Sequence, residues 1–90
     1  MKVEPENGFK CEIDEDALQD WEIVEKLVEV EKGDPRPLPG VMKELLGEDG
    51  YTAAKDFVRT EKGRVPTQKI TQLFFAILTK ARGDIDSKKN

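Results

Sequence analysis

The chain has 90 residues, with 15 Lys or Arg, 19 Asp or Glu, no His and one Cys, and its net charge is −4. This length provides one domain with a modest core, and a single Cys excludes both an internal disulfide and a Cys-based zinc site. No apolar run approaches the roughly 20 residues that cross a bilayer, and the first residues form no apolar signal region, so we expect an acidic cytoplasmic protein.

Residues 1–13 are predicted to form a strand or hairpin that packs on the rest of the domain. Apolar and charged side chains alternate from Phe9 to Ile13, which is the periodicity of a strand. Asn7-Gly8 is a tight-turn pair that would return the chain to a short edge strand at Val3.

The first helix is predicted from a cap at Asp14 to Lys32, and it carries two apolar stripes. The first stripe consists of Ala17, Leu18, Trp21, Val24 and Val28. The second stripe consists of Ile23, Leu27 and Val30. Two stripes indicate either that this helix is central in the domain or that one stripe serves a partner.

Three further helices are predicted, which gives a mostly α fold of four helices with a short N-terminal strand or hairpin. Prolines make Asp34–Pro39 a stiff connector, and the second helix runs from about Leu38 to Leu46. The third helix runs from about Asp49 to Lys62. The fourth begins at Pro66 or Thr67 and ends at Gly83, so residues 14–83 form the helical domain and 84–90 a disordered tail.

Catalytic chemistry has little support in this sequence. Without His, the usual base near neutral pH is missing, and Cys11 has no neighbouring base to activate it. The acidic pairs lie at helix starts, where capping explains them, and they lack the pattern of a calcium loop. We therefore predict no enzymatic activity, no cofactor and no metal site.

Apolar side chains outside the main stripes are the candidate binding residues. Ile23, Leu27, Val30 and Phe75 exceed what the neighbouring helices need to cover, and we predict that they line a groove for an apolar helix. The alternative is that the first helix is central and that all four residues lie inside. Binding to a second copy of the chain is also open.

Nucleic-acid binding is the alternative function. The third and fourth helices, joined by a Gly turn, could imitate a helix-turn-helix. Lys55, Arg59 and Lys62 would then be among the basic side chains that contact phosphate. Residues 35–90 carry a net charge of +4 and residues 1–34 one of −8. Since the whole chain is acidic, a small nucleic-acid-associated regulator is the weaker hypothesis.

The order of these elements resembles a known family. The segments that carry the resemblance are the strand into Ile13-Asp14, Asp20–Glu25, Gly33-Asp34-Pro35, Met42–Gly47, Gly63-Arg64-Val65 and an apolar closing helix. Together they are similar to the small tail assembly chaperones of long-tailed bacteriophages, especially those of Gram-positive hosts and their prophages. The resemblance covers roughly residues 9–82, and the proline-rich Asp34–Pro39 stretch departs from it.

The resemblance implies a function and partners. Chaperones of this family bind the long helical tape measure protein, keep it from aggregating and help to recruit tail tube subunits. They act in the host cytoplasm and are absent from the finished virion. The family offers no catalytic residues to transfer to this sequence.

Overall fold

The computed structural model describes residues 1–5 and 8–88 of the chain. Within these residues the fold is mostly α, with four helices and a short N-terminal hairpin, as the sequence predicts. The elements are β1 Lys2–Val3, β2 Cys11–Glu12, α1 Glu15–Leu18, α2 Trp21–Glu31, α3 Leu38–Val58 and α4 Thr67–Lys88. None of the helices within the described ranges is long and apolar enough to cross a membrane.

The N-terminal hairpin is antiparallel and places Val3 opposite Cys11. The amino group of Met1 donates a hydrogen bond to the carbonyl of Ile13 at 2.6 Å, and the N–H of Ile13 donates to the carbonyl of Met1 at 2.7 Å. Within the predicted Phe9–Ile13 strand, Cys11–Glu12 forms β2 and Ile13 extends the pairing to Met1. Asn7 of the predicted turn lies outside the described residues.

The first predicted helix is two helices, so the prediction of one helix over residues 14–32 is wrong. The side chain of Asp14 caps α1 by accepting hydrogen bonds from the N–H groups of Asp16 and Ala17. Asp20 caps α2 in the same way, accepting from the N–H of Glu22 at 2.8 Å. Because Asp20 adopts an extended backbone conformation to make this cap, the helix cannot continue through it.

The predicted second and third helices are the two segments of α3, which meet at a kink. Gly47 lies at this kink with φ +76° and ψ 168°, a conformation that only glycine adopts readily. The second segment ends at Val58, and the predicted end at Lys62 is wrong. A turn replaces the last helical turn, since Thr60 donates its N–H to the carbonyl of Arg64 at 2.8 Å.

Helix α4 begins at Thr67, as predicted, but continues through Gly83 to Lys88. The prediction that Gly83 ends this helix is therefore wrong. A glycine inside a helix costs only about 1 kcal/mol, and Ile85 beyond it packs partly against the core. Residues 84–88 of the predicted disordered tail are helical, and 89–90 lie outside the described residues.

The central helix is α3, which packs against α1, α2, α4 and β2. This arrangement corrects the alternative in which the first helix occupies the centre. The fully buried side chains with the largest volumes come from α2, α3, α4 and β1: Phe74, Ile23, Met42, Leu45, Ile77, Leu78, Val3 and Val41. The N–H of Asp14 also donates to the carbonyl of Leu45 at 3.0 Å, which fixes the start of α1 against α3.

Candidate protein-binding surface

The four residues predicted to line a groove do not form one. Ile23 and Leu27 are only 1% and 2% exposed and lie in the core, so the prediction that they line an open groove is wrong. Val30 and Phe75 are half-buried and pack against the same core. A partner contact at Val30 or Phe75 stays a prediction.

The exposed apolar side of α2 lies opposite Ile23 and Leu27. We name it the α2 outer face, and it consists of Trp21, Val24, Glu25 and Val28. Trp21 is 73% exposed and Val28 is 40% exposed, whereas Val24 is partly exposed. Trp21 and Val28 lie seven residues apart, almost two helical turns, so their side chains project from the same side. An exposed tryptophan on a helix is the strongest apolar anchor that the described surface offers.

Acidic side chains lie along one side of the α2 outer face. Glu22, Glu25 and Glu29 are exposed on the same helix. Its lysine, Lys26, extends instead toward α3, where its Nζ lies 3.6 Å from a carboxylate oxygen of Glu44. The Nζ of Lys32 lies 4.0 Å from a carboxylate oxygen of Glu29, whereas Glu22 and Glu25 have no ion pair among the described side chains. The face therefore combines one large aromatic group with two unpaired carboxylates.

A second apolar feature lies between the Gly33–Pro37 connector, α3 and the start of α4. We name this concavity of about 240 Å³ the Tyr51 hollow. It is lined by Pro35, Leu38, Pro39, Met42, Tyr51, Lys55, Val65, Thr67, Ile70 and Thr71. Its volume lies below the usual range for small-molecule sites, so it suits one apolar side chain better than a drug-sized ligand.

Two lysines give the Tyr51 hollow a basic edge. The Nζ of Lys55 lies 4.5 Å from the centroid of the Tyr51 ring, and that of Lys43 lies 5.6 Å from it. Both distances are within the range of a cation–π contact. Among residues 1–5 and 8–85, neither lysine has a carboxylate within 4.0 Å. Their charge is therefore available to an approaching acidic group.

The connector wall of the hollow is held by Asp34 and Arg36. The guanidinium of Arg36 donates two hydrogen bonds of 2.9 Å to the carboxylate of Asp34, and its backbone N–H adds a third at 3.0 Å. Hydrogen bonds from the Arg36 side chain are the main cause that lowers the pKa of Asp34 below its usual value. This clamp gives the Gly33-Asp34-Pro35 motif a structural role beside Pro35.

Cys11 is not arranged as a nucleophile. Its half-buried position is the main cause that raises the pKa of the thiol, Glu12 raises it further, and the N-terminal amino group lowers it. The thiol is therefore neutral near pH 7 and weakly nucleophilic. Across the part of the chain that the structure describes, no group of three His, Cys, Asp or Glu side chains could hold a metal ion.

Comparison with known proteins adds no relative. No family model matches the sequence, and neither the curated proteins nor the solved structures contain a significant match.

The sequence contained one signal for the α2 outer face. Asp20 is a good capping residue, and a helix that begins after it carries Trp21 at its first position. The Tyr51 hollow had no such signal, because its lining comes from three separate segments of the chain.

Proposed function

We propose that this chain is a non-enzymatic protein-binding domain and that it contacts its partner through the α2 outer face. The observation that carries this proposal is the 73% exposure of Trp21, in line with the 40% exposed Val28. Tryptophan is enriched among the residues that dominate binding energies at protein interfaces. Asp20 caps α2, and the side of α2 opposite Trp21 is buried in the core. Trp21 is therefore presented on a preorganised helix.

Within this class, the proposed identity is a phage tail assembly chaperone. The support is the resemblance of residues 9–82 to that family, together with an apolar face that is available for an apolar partner. In this function the chain binds the tape measure protein in the host cytoplasm and assists assembly of the tail tube, without remaining in the virion. The exposed glutamates around Trp21 would keep the unoccupied face hydrated and limit non-specific aggregation.

Co-expression with the tape measure protein of the same gene cluster tests both levels of the proposal. The wild-type chain is expected to co-purify with that protein and keep it in solution, and Trp21→Ala is expected to lose this capture. Gln72→Ala, an exposed position on α4, is the matched control and is expected to retain it. Circular dichroism would establish that both variants fold.

Two outcomes would contradict this assignment. Equal capture of the tape measure protein by Trp21→Ala and by the wild type would mean that the α2 outer face takes no part in binding. Tight binding to DNA or RNA that weakens steeply with salt would instead favour the nucleic-acid-associated regulator, because phosphate binding releases counterions.

A further inference from the structure

We propose that a second copy of this chain docks head to tail, with Trp21 of one copy inserted into the Tyr51 hollow of the next. The inference uses the α2 outer face of the proposed function but does not depend on which foreign partner binds there. It joins two features that the fold leaves open at separate places: an exposed aromatic side chain and an apolar concavity.

The apolar fit is the first argument. The walls of the hollow include Pro35, Leu38 and Ile70, and its volume of about 240 Å³ suits a single large side chain. No residue of α2 lines the hollow, so Trp21 does not occupy the hollow of its own chain. Burial of an indole ring that is 73% exposed would supply most of the apolar contribution to the contact.

The charge fit is the second argument. Glu22 and Glu25 are exposed within the first helical turn after Trp21 on α2. The hollow presents Lys55 in its lining and Lys43 above the Tyr51 ring, and neither has a carboxylate partner among the described side chains. A copy that inserts Trp21 therefore brings two carboxylates toward two available ammonium groups.

The two surfaces are different, so the contact is heterologous rather than self-complementary. Such a contact leaves one free α2 outer face and one free hollow in every dimer, and it extends into chains or rings. One anchor residue and a small concavity make a small interface, so we expect association only at high protein concentration. A foreign partner that binds Trp21 would compete with the second copy.

Complementation between two variants tests this arrangement by sedimentation equilibrium at low salt. The average mass of the wild type is expected to rise with concentration. Trp21→Ala removes the inserted side chain and Lys55→Glu reverses the charge at the hollow, so each is expected to lower the association constant by at least about tenfold. Arg82→Glu, an exposed base elsewhere on α4, is the matched control and is expected to associate like the wild type.

The decisive sample is an equimolar mixture of Trp21→Ala and Lys55→Glu. Each variant keeps the surface that the other lacks, so the mixture is expected to form a 1:1 dimer and nothing larger. A mixture that stays monomeric while the wild type associates would overturn the proposal. So would association that Trp21→Ala abolishes and Lys55→Glu leaves unchanged, because the second copy would then dock elsewhere than the hollow.

Failure of this inference is distinguishable from failure of the proposed function. A wild type that stays monomeric at every concentration overturns the self-association. If Trp21→Ala still loses the tape measure protein under those conditions, the protein-binding function stands. Conversely, complementation in the mixture without any capture of a tape measure protein supports self-association alone.

Discussion

The ring of Phe57, near the end of α3, covers the ring of Phe9, with centroids 5.2 Å apart and planes tilted by 54°. Phe57 itself is 47% exposed, whereas Phe9 is 7% exposed. Phe57 therefore packs the segment before β2 against the second half of α3. Its exposure does not make it a free surface group like Trp21.

Removal of the Phe57 ring should destabilise the fold. Phe57→Ala is expected to lower the free energy of unfolding by about 1–2 kcal/mol, because it loses an aromatic pair and exposes Phe9. Urea denaturation measures the change, and Phe57→Leu, which keeps an apolar cover, should lose less. A stability of Phe57→Ala equal to that of the wild type would contradict the packing role.

Two adjacent residues of α2 should differ greatly in their response to the same substitution. Leu27→Asp places a charge in the core and is expected to cost about 3–5 kcal/mol, enough to unfold a domain of this size. Val28→Asp lies on the α2 outer face and is expected to change stability by no more than about 0.5 kcal/mol. Circular dichroism during thermal unfolding separates the two. A folded Leu27→Asp would mean that α2 is rotated relative to the described packing.

Two glycines should also respond oppositely to alanine. Gly47→Ala forces a side chain into the positive-φ kink of α3 and is expected to cost about 1–3 kcal/mol, although nothing lies within 4 Å of the added Cβ. Gly83→Ala, inside α4 and equally unobstructed, is expected to stabilise by about 0.5–1 kcal/mol. Denaturant midpoints measure both changes. Destabilisation by Gly83→Ala would contradict a helix that continues past this position.

The thiol of Cys11 should titrate above the usual pKa of cysteine. Its alkylation by iodoacetamide, followed by mass spectrometry as a function of pH, is expected to have a higher midpoint in the folded chain than in urea. Glu12→Gln should lower that midpoint, because it removes a negative charge that opposes the thiolate. An unchanged midpoint would exclude this electrostatic contribution.

The same shift predicts a direction for stability. The folded chain holds the thiol proton more tightly than the unfolded chain. The contribution of the thiol to stability is therefore complete below the usual thiol pKa, and it is lost as the pH rises from that value through the raised pKa of the folded chain. Cys11→Ala should therefore make the unfolding free energy less dependent on pH in the alkaline range.

The stripes of the first predicted helix illustrate how far the sequence reaches. Leu18 and Trp21 share one side of a continuous helix, and the sequence therefore places them together. The break before α2 separates them: Leu18 is 7% exposed, whereas Trp21 is 73% exposed. Because the cap at Asp20 starts a new helix, the faces of α1 and α2 are not continuous. Apolar periodicity read over one continuous helix cannot reveal this break.

By itself, the sequence determined the fold class, the connector, the start of α4 and the two segments of α3 separated by Gly47, because capping groups, prolines, glycines and apolar periodicity act locally. Only the tertiary structure decided that Ile23 and Leu27 lie in the core while Trp21 and Val28 are exposed, since periodicity fixes positions around a helix axis but not the direction of the core. It alone also brought Pro35, Tyr51 and Ile70 together into one hollow, because residues from separate segments become neighbours only when the helices pack.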